Sequence, residues 1–299
     1  MVDIGDSKPP AARRVGSSPT SGTIMNQRII CVIGPTASGK SAAAIALAKE
    51  RDGEVISVDS RQVYRTLDIG TEKTLPEEMQ RIPHHLIDVR DPEEVYTAGD
   101  FVQDATRLIR EIRARGKTPI LAGGTHFYFD ALLYGLPEGG VLPELRVELE
   151  KQSAEALFAQ LEVQDPDRAA HIDPKNPRRL IRALELVALH AKVPTRERST
   201  PAYDVEWVVV DVPRDELRAR IDVRLERALE RGLIEEVRST RDRVGDTRLN
   251  ELGLEYRIVG EYLRGERTEA SLLTALSTKL WHYARKQKAW IRRLVPEDI

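Results

Sequence analysis

Residues 34–41 read Gly34-Pro35-Thr36-Ala37-Ser38-Gly39-Lys40-Ser41, the Gly-x-x-x-x-Gly-Lys-Ser spacing of a phosphate-binding loop. Glycine near each end frees the backbone to turn successive N–H groups inward at phosphate oxygens. Lys40 adds a mobile positive charge, and Ser41 offers a hydroxyl to a magnesium ion or a phosphate oxygen. Such a loop works between a buried strand and a helix N-terminus. Both are present. Ile29-Ile30-Cys31-Val32-Ile33 is an apolar, β-branched run before it, and an Ala-rich helical stretch over 41–49 follows. The bland alternative is a glycine turn with no ligand. The loop specifies a diphosphate or triphosphate and leaves the chemistry open.

Short apolar runs at 28–33, 54–58, 85–89 and 118–122 alternate with helical stretches, and another run follows at 205–212. Alternation of this kind predicts an α/β fold, a phosphate-loop NTPase-like parallel sheet flanked by helices. Residues 138–200 break the pattern. Leucines recur near helical spacing, and Asp165-Pro166 and Asn176-Pro177 each look like an N-cap followed by a first-turn proline. This segment reads as an all-helical insertion. The core domain then comprises 26–137 and 201–299, and residues 1–25, rich in Pro, Ser and Gly, read as a disordered tail.

The balance of 46 Lys plus Arg against 48 Asp plus Glu gives a net charge of −2. Indiscriminate coating of nucleic acid is excluded, so any RNA contact must come from local basic patches. No apolar run reaches membrane-spanning length. The lone cysteine, Cys31, excludes disulfides and cysteine-based zinc sites, and a reducing, cytoplasmic setting is expected.

Three places outside the loop could carry chemistry. Asp59 ends the second strand beside the phosphate loop, where it is either a general base or the cap of the turn before Arg61. On the helix from 177, Leu180, Leu184 and Val187 fall on one side and Arg178, Arg179 and Arg182 on the other. Those arginines either solvate an outer face or clamp phosphates of a large anionic substrate. Arg224 sits at the edge of the stripe Leu217, Ile221, Leu225 and either snorkels or reaches into a site. One absence is also informative. The fourth strand ends Leu121-Ala122-Gly123-Gly124-Thr125, without the acid that an ATP hydrolase uses to hold magnesium and orient water. A diphosphate leaving group suits such a loop.

Taken together, these motifs resemble those of the tRNA dimethylallyltransferases, in their bacterial form. The resemblance rests on residues 34–41, Ser57-Val58-Asp59-Ser60-Arg61-Gln62-Val63-Tyr64, Asp68-Ile69-Gly70-Thr71 and His84-His85-Leu86-Ile87-Asp88. It continues through Gly123-Gly124-Thr125, Asn176-Pro177-Arg178-Arg179-Leu180-Ile181-Arg182-Ala183-Leu184-Glu185 and Tyr283-Ala284-Arg285-Lys286-Gln287. It implies transfer of a dimethylallyl group from its diphosphate to the exocyclic amine of the adenine just 3′ of the tRNA anticodon, releasing diphosphate. It further implies that Gly34 to Ser41 hold the diphosphate, that Ser41 meets the leaving group or its Mg2+, that Asp59 is the general base and that Arg224 steadies the leaving charge. Asp59, Ser60, Arg61 and Gln62 would contact the target base and its neighbours. Thr125, Arg146, Arg178, Arg179, Leu180, Ile181 and Arg182 would lie along the tRNA anticodon stem-loop. A cytoplasmic monomer is expected, with no membrane partner.

Two departures stand out. The family usually continues Gly-Gly-Thr with Gly-Leu-Tyr, and here His126-Phe127-Tyr128 follows. A Gly-Tyr common near the last helices is Gly253-Leu254. The competing readings are an isopentenyltransferase acting on free adenine nucleotide, a small-molecule kinase using ATP, and a non-catalytic nucleotide-binding module.

Overall fold

The computed structural model describes residues 12–15, by backbone alone, together with 28–137, 139–194 and 200–295. In chain order the first elements are β1 (Ala12–Val15), β2 (Arg28–Ile33), α1 (Lys40–Glu50), β3 (Gly53–Ser57), β4 (His84–His85), α2 (Ala98–Ala114), β5 (Thr118–Gly123) and α3 (His126–Tyr134). A helical segment contains α4 (Pro143–Glu150), α5 (Ala154–Gln164), α6 (Pro166–Ala169) and α7 (Pro177–His190). The chain then forms β6 (Asp204–Val210), α8 (Arg214–Glu230), α9 (Leu233–Leu249), α10 (Leu254–Leu263) and α11 (Glu269–Leu294). Contacts divide it into two compact units, 1–134 with 201–299, and 135–200.

In the first unit the strands form one sheet in the order β1-β6-β2-β5-β3-β4. β2 pairs in parallel with β5 and β6, and β3 in parallel with β4 and β5. β2 is buried on both faces, as its unbroken apolar run requires. Its side chains alternate. Ile29, Cys31 and Ile33 join a core with α2, α3 and α8 to α11, whereas Ile30 and Val32 pack against Ala43, Ala44 and Leu47 of α1. Helix α2 opens with a capping box, Thr97 Oγ1 accepting from the Asp100 N–H and Asp100 from the Thr97 N–H. Its stripe of Phe101, Ala105, Leu108, Ile109 and Ile112 is buried.

The structure corrects two expectations here. Residues 12–15, expected within a disordered tail, form an antiparallel edge strand on β6, with Ala12 opposite Val210 and Val15 opposite Trp207. Pairing there covers backbone groups that the edge of β6 would otherwise expose. The rest of 1–25 lies outside the described residues. The strand expected at 85–89 is only His84–His85, because Leu86 (φ 62°) and Asp88 (φ 56°) take left-handed backbone conformations that end it.

The second unit has its own core, in which Leu149, Leu157, Leu161, Leu180, Leu184 and Val187 meet. Asn176 caps α7, its Oδ1 accepting from the Arg179 N–H at 3.3 Å, with Pro177 in the first turn. Asp165 caps α6 through the Arg168 N–H at 3.1 Å.

Candidate functional site: a phosphate loop beside a capped aspartate

The loop between β2 and α1 is built for close approach. A Cβ on Gly34 would lie 2.4 Å from the Val210 carbonyl oxygen and 2.7 Å from Ser38 Oγ. Gly39 (φ 89°) and Ala37 (φ 60°) are both left-handed, a conformation easy for the glycine and costly for the alanine. Strain in a non-glycine residue persists where its surroundings over-determine it. Ser38 is fully buried, and its hydroxyl has no partner. Lys40 folds back so that Nζ donates to the Pro35 carbonyl at 2.6 Å. Burial lowers its pKa to about 8, against the pull of Asp59 and with the push of Arg224. Ser41 is exposed on the first turn of α1.

Two helices distant in sequence, α8 and α11, reach this loop. Arg224 of α8 donates to Thr36 Oγ1, and it pairs with Glu72 at 3.0 Å and Glu255 at 3.5 Å. One turn earlier, Arg220 donates to the Ser38 carbonyl at 3.5 Å. Gln287 of α11 is a brace. Its Oε1 accepts from the Thr36 N–H at 2.8 Å, and its Nε2 donates to the Gly124 carbonyl at 2.9 Å. Gly124 leaves room for it, since a Cβ there would lie 2.7 Å from that Nε2.

Asp59 follows β3. Its Oδ1 accepts from the Arg61 N–H at 2.8 Å and the Gln62 N–H at 3.3 Å, so it caps the turn, and its charge also acts on Lys40. Of the two sequence readings of Asp59, these bonds show the cap. Thr125 ties the ends of β3 and β5 together, its Oγ1 accepting from the Ser60 N–H at 3.0 Å. Gln62 donates from Nε2 to the carbonyls of Thr71 (3.3 Å) and Glu72 (3.0 Å). His126, 3% exposed, begins α3 with Nε2 unpartnered. Burial first, then Lys40, lowers its pKa to about 4, so the ring is neutral at pH 7.

In the helical unit the predicted residues divide by role. Arg146 forks onto Glu185 at 2.9 and 2.7 Å. Arg182 donates to the carbonyls of Gly140 (3.0 Å) and Gly139 (2.9 Å) and lies 3.3 Å from Glu185. Glu185 is completely buried. Burial works to raise its pKa, and the hydrogen bonds and charges of the two arginines overcome this and lower it. Leu180 (0% exposed) and Ile181 (7%) turn into the core. Their side chains pack the unit, so any approach of RNA to these two positions is through their backbone. Arg178 and Arg179 are exposed.

The contacts of Arg220 and Gln287 with the loop, and of Glu72 and Glu255 with Arg224, do not follow from the sequence reading. Gln287 had a signal, its place in a recurring motif. The other three had none that spacing could reveal.

A parallel sheet with an anion cradle between its central strand and the next helix defines the phosphate-loop α/β class. Within that class the chain belongs to the IPP transferase family, whose model matches residues 62–294. The tRNA dimethylallyltransferase of Thermomicrobium roseum is 42% identical over 281 residues, covering 90% of this chain and 85% of that protein. That of Roseiflexus sp. is 42% identical over 275 residues, covering 89% and 90%. The solved tRNA isopentenylpyrophosphate transferase of Bacillus halodurans is 37% identical with a TM-score of 0.67, covering 89% of this chain and 87% of that one. A eukaryotic dimethylallyltransferase acting on tRNA is 29% identical with a TM-score of 0.76, covering 89% and 70%.

Proposed function

We propose that this enzyme transfers a dimethylallyl group from dimethylallyl diphosphate to the exocyclic amine of the adenine 3′-adjacent to the anticodon of tRNA. A bond forms between that nitrogen and the allylic carbon, the carbon–oxygen bond to diphosphate breaks, and a proton passes to Asp59. The observation that carries the reading is that Asp59, at the end of β3, and the phosphate loop, at the end of β2, leave the same edge of the parallel sheet, where Arg224 grips the loop at Thr36. A carboxylate and a phosphate loop on one edge can serve an amine and a leaving diphosphate together.

Each residue has a part. An adenine amine is a weak nucleophile because its lone pair is delocalised into the ring, and a carboxylate taking its hydrogen strengthens it. Both bonds that Asp59 accepts land on Oδ1, which aims the side chain and leaves Oδ2 for the proton. Departure of the diphosphate is eased by Lys40, Arg224 and the loop N–H groups. The buried Ser38 hydroxyl, without a protein partner, has a phosphate oxygen as its natural acceptor. Gly34, Pro35, Thr36, Ala37 and Gly39 supply the backbone of this cradle.

Magnesium fits this site as a companion of the diphosphate. The exposed Ser41 hydroxyl would be the protein ligand, and among the described residues no group of three or more His, Cys, Asp or Glu side chains could cage an ion. When bound, it would supply charge neutralisation on the phosphate oxygens.

Ser60, Arg61, Gln62 and Thr125 surround the target base in this reading. Arg146 and Arg182 act on RNA only indirectly, by holding the helical unit that presents Arg178 and Arg179 to phosphates. An anticodon-loop base is cheaper to extrude than one in a duplex. No helix among the described residues is long and apolar enough to cross a membrane. We place the reaction in the cytoplasm, on a monomer.

The test is incubation with magnesium, radiolabelled dimethylallyl diphosphate, unmodified tRNA, AMP and ATP. Label in the RNA supports the reading. Label only in free AMP, or phosphate transfer from ATP, contradicts it.

A further inference from the structure

Glu236 lies in the first turn of α9, and its carboxylate is saturated. Oε2 accepts from the backbone N–H groups of Asp68 (2.9 Å) and Ile69 (2.7 Å). Oε1 accepts from the Gly70 N–H (2.9 Å) and the Tyr256 hydroxyl (2.6 Å). Three consecutive N–H groups curled around one anion form a nest, a strong and directional anchor. Tyr256 is 1% exposed, and a Cβ on Gly70 would lie 2.8 Å from its ring. The glycine of Asp68-Ile69-Gly70-Thr71 is thus the gap through which the tyrosine reaches the carboxylate.

The far half of the same loop touches the site. The carbonyls of Thr71 and Glu72 hold the Gln62 amide, and the Gln62 N–H bonds to Asp59. The Glu72 carboxylate pairs with Arg224, which in turn holds Thr36. A second clamp, Lys73 on Asp68 and Asp88 at 2.5 Å each, closes the loop from the other side. Displacing residues 68–70 would therefore move two groups at the chemistry together.

We propose that Glu236 is a positioning residue for the transfer: it seats loop 68–72, and through that loop sets Gln62 beside Asp59 and Arg224 on the phosphate loop. The inference rests on the function proposed above. Glu236 touches neither substrate; its effect is on where the reacting groups stand.

Glu236→Gln keeps the shape and removes the charge, leaving an amide donor against backbone donors. In tRNA prenylation, kcat should fall on the order of tenfold to a hundredfold while KM for tRNA stays within about twofold, because misplacement acts on the reacting geometry. Binding of inorganic pyrophosphate should weaken about fivefold as Arg224 loosens. If Glu236 acts through the loop, its loss should not add to that of Glu72→Gln, and the double variant should be no slower than the slower single. Should Glu236→Gln fail to fold, judged by its thermal transition, Tyr256→Phe removes one of the four bonds and should lower kcat about threefold with KM unchanged. An unchanged kcat, or losses that multiply with Glu72→Gln, overturns the proposal. If the wild-type enzyme itself fails to prenylate tRNA, the functional reading falls instead, and the pyrophosphate measurement still decides this one.

Discussion

The guanidinium of Arg224 donates to the Thr36 hydroxyl, so a helix near residue 224 grips the phosphate loop directly. Its Nε and Nη2 meanwhile pair with Glu72 and Glu255. A guanidinium held in three directions is pre-organised for a leaving diphosphate, and a lysine cannot reproduce the fork. Arg224→Lys should therefore lower kcat/KM for the prenyl donor by about tenfold or more, with the thermal transition little changed. Steady-state kinetics against donor concentration, beside a melting curve, checks both halves.

Gln287 braces the loop from the other side. Its replacement by Ala would leave the Thr36 N–H and the buried Gly124 carbonyl without their partners. Unmade buried hydrogen bonds of this type cost about 1–3 kcal/mol. Gln287→Ala should lower stability by that amount in denaturant titration and weaken binding of inorganic pyrophosphate, whereas Gln287→Glu should weaken it further by adding negative charge.

In the proposed reaction Lys40 sets the pH dependence of diphosphate binding. Its pKa, lowered to about 8 chiefly by burial, means that the free loop loses its positive charge as pH rises through 8 rather than through the ordinary lysine range. Affinity for inorganic pyrophosphate, followed by calorimetry from pH 6.5 to 9.5, should be flat below about 7.5 and fall above 8. A curve level to pH 9.5 would contradict this assignment.

The arginines of the helical unit divide into two kinds. Removing Arg146 leaves the buried Glu185 carboxylate with Arg182 alone as its counter-charge. With Arg146 itself 35% exposed, Arg146→Ala should cost about 2–3 kcal/mol, below the full penalty of a wholly buried pair. The Glu185 carboxyl is lowered below 4.5 in the folded state, so its contribution is present above that pH and is lost as pH falls through the folded value. Arg178→Ala with Arg179→Ala should instead flatten the salt dependence of tRNA binding, each phosphate contact carrying a slope of about 0.7–0.9. Binding isotherms at several salt concentrations separate the two kinds.

Local features were the legible ones. The β-branched run 29–33 and the glycines of the loop specify their own backbone, and the outward Arg178 and Arg179 of α7 follow from periodicity, whereas Arg182 turns onto Gly139, Gly140 and Glu185. What escaped were relations between remote residues. Thr36 and Gln287, 251 positions apart in sequence, meet through a single amide. Glu236 reaches loop 68–70 from a helix whose spacing offers no hint of it. Backbone turns at Leu86 and Asp88 cut short a strand that apolar content favoured, because a run of apolar residues constrains burial more tightly than it constrains φ. β1 has only two apolar residues in four and takes its order from the edge it covers.

The central claim is that Asp59 readies the amine while the neighbouring cradle takes the diphosphate. Its most direct test is Asp59→Ala, assayed for tRNA prenylation and, in parallel, for affinity towards inorganic pyrophosphate. Turnover should fall at least about a hundredfold, the scale of general-base loss, with pyrophosphate affinity held within about threefold. Near-normal turnover would contradict the account.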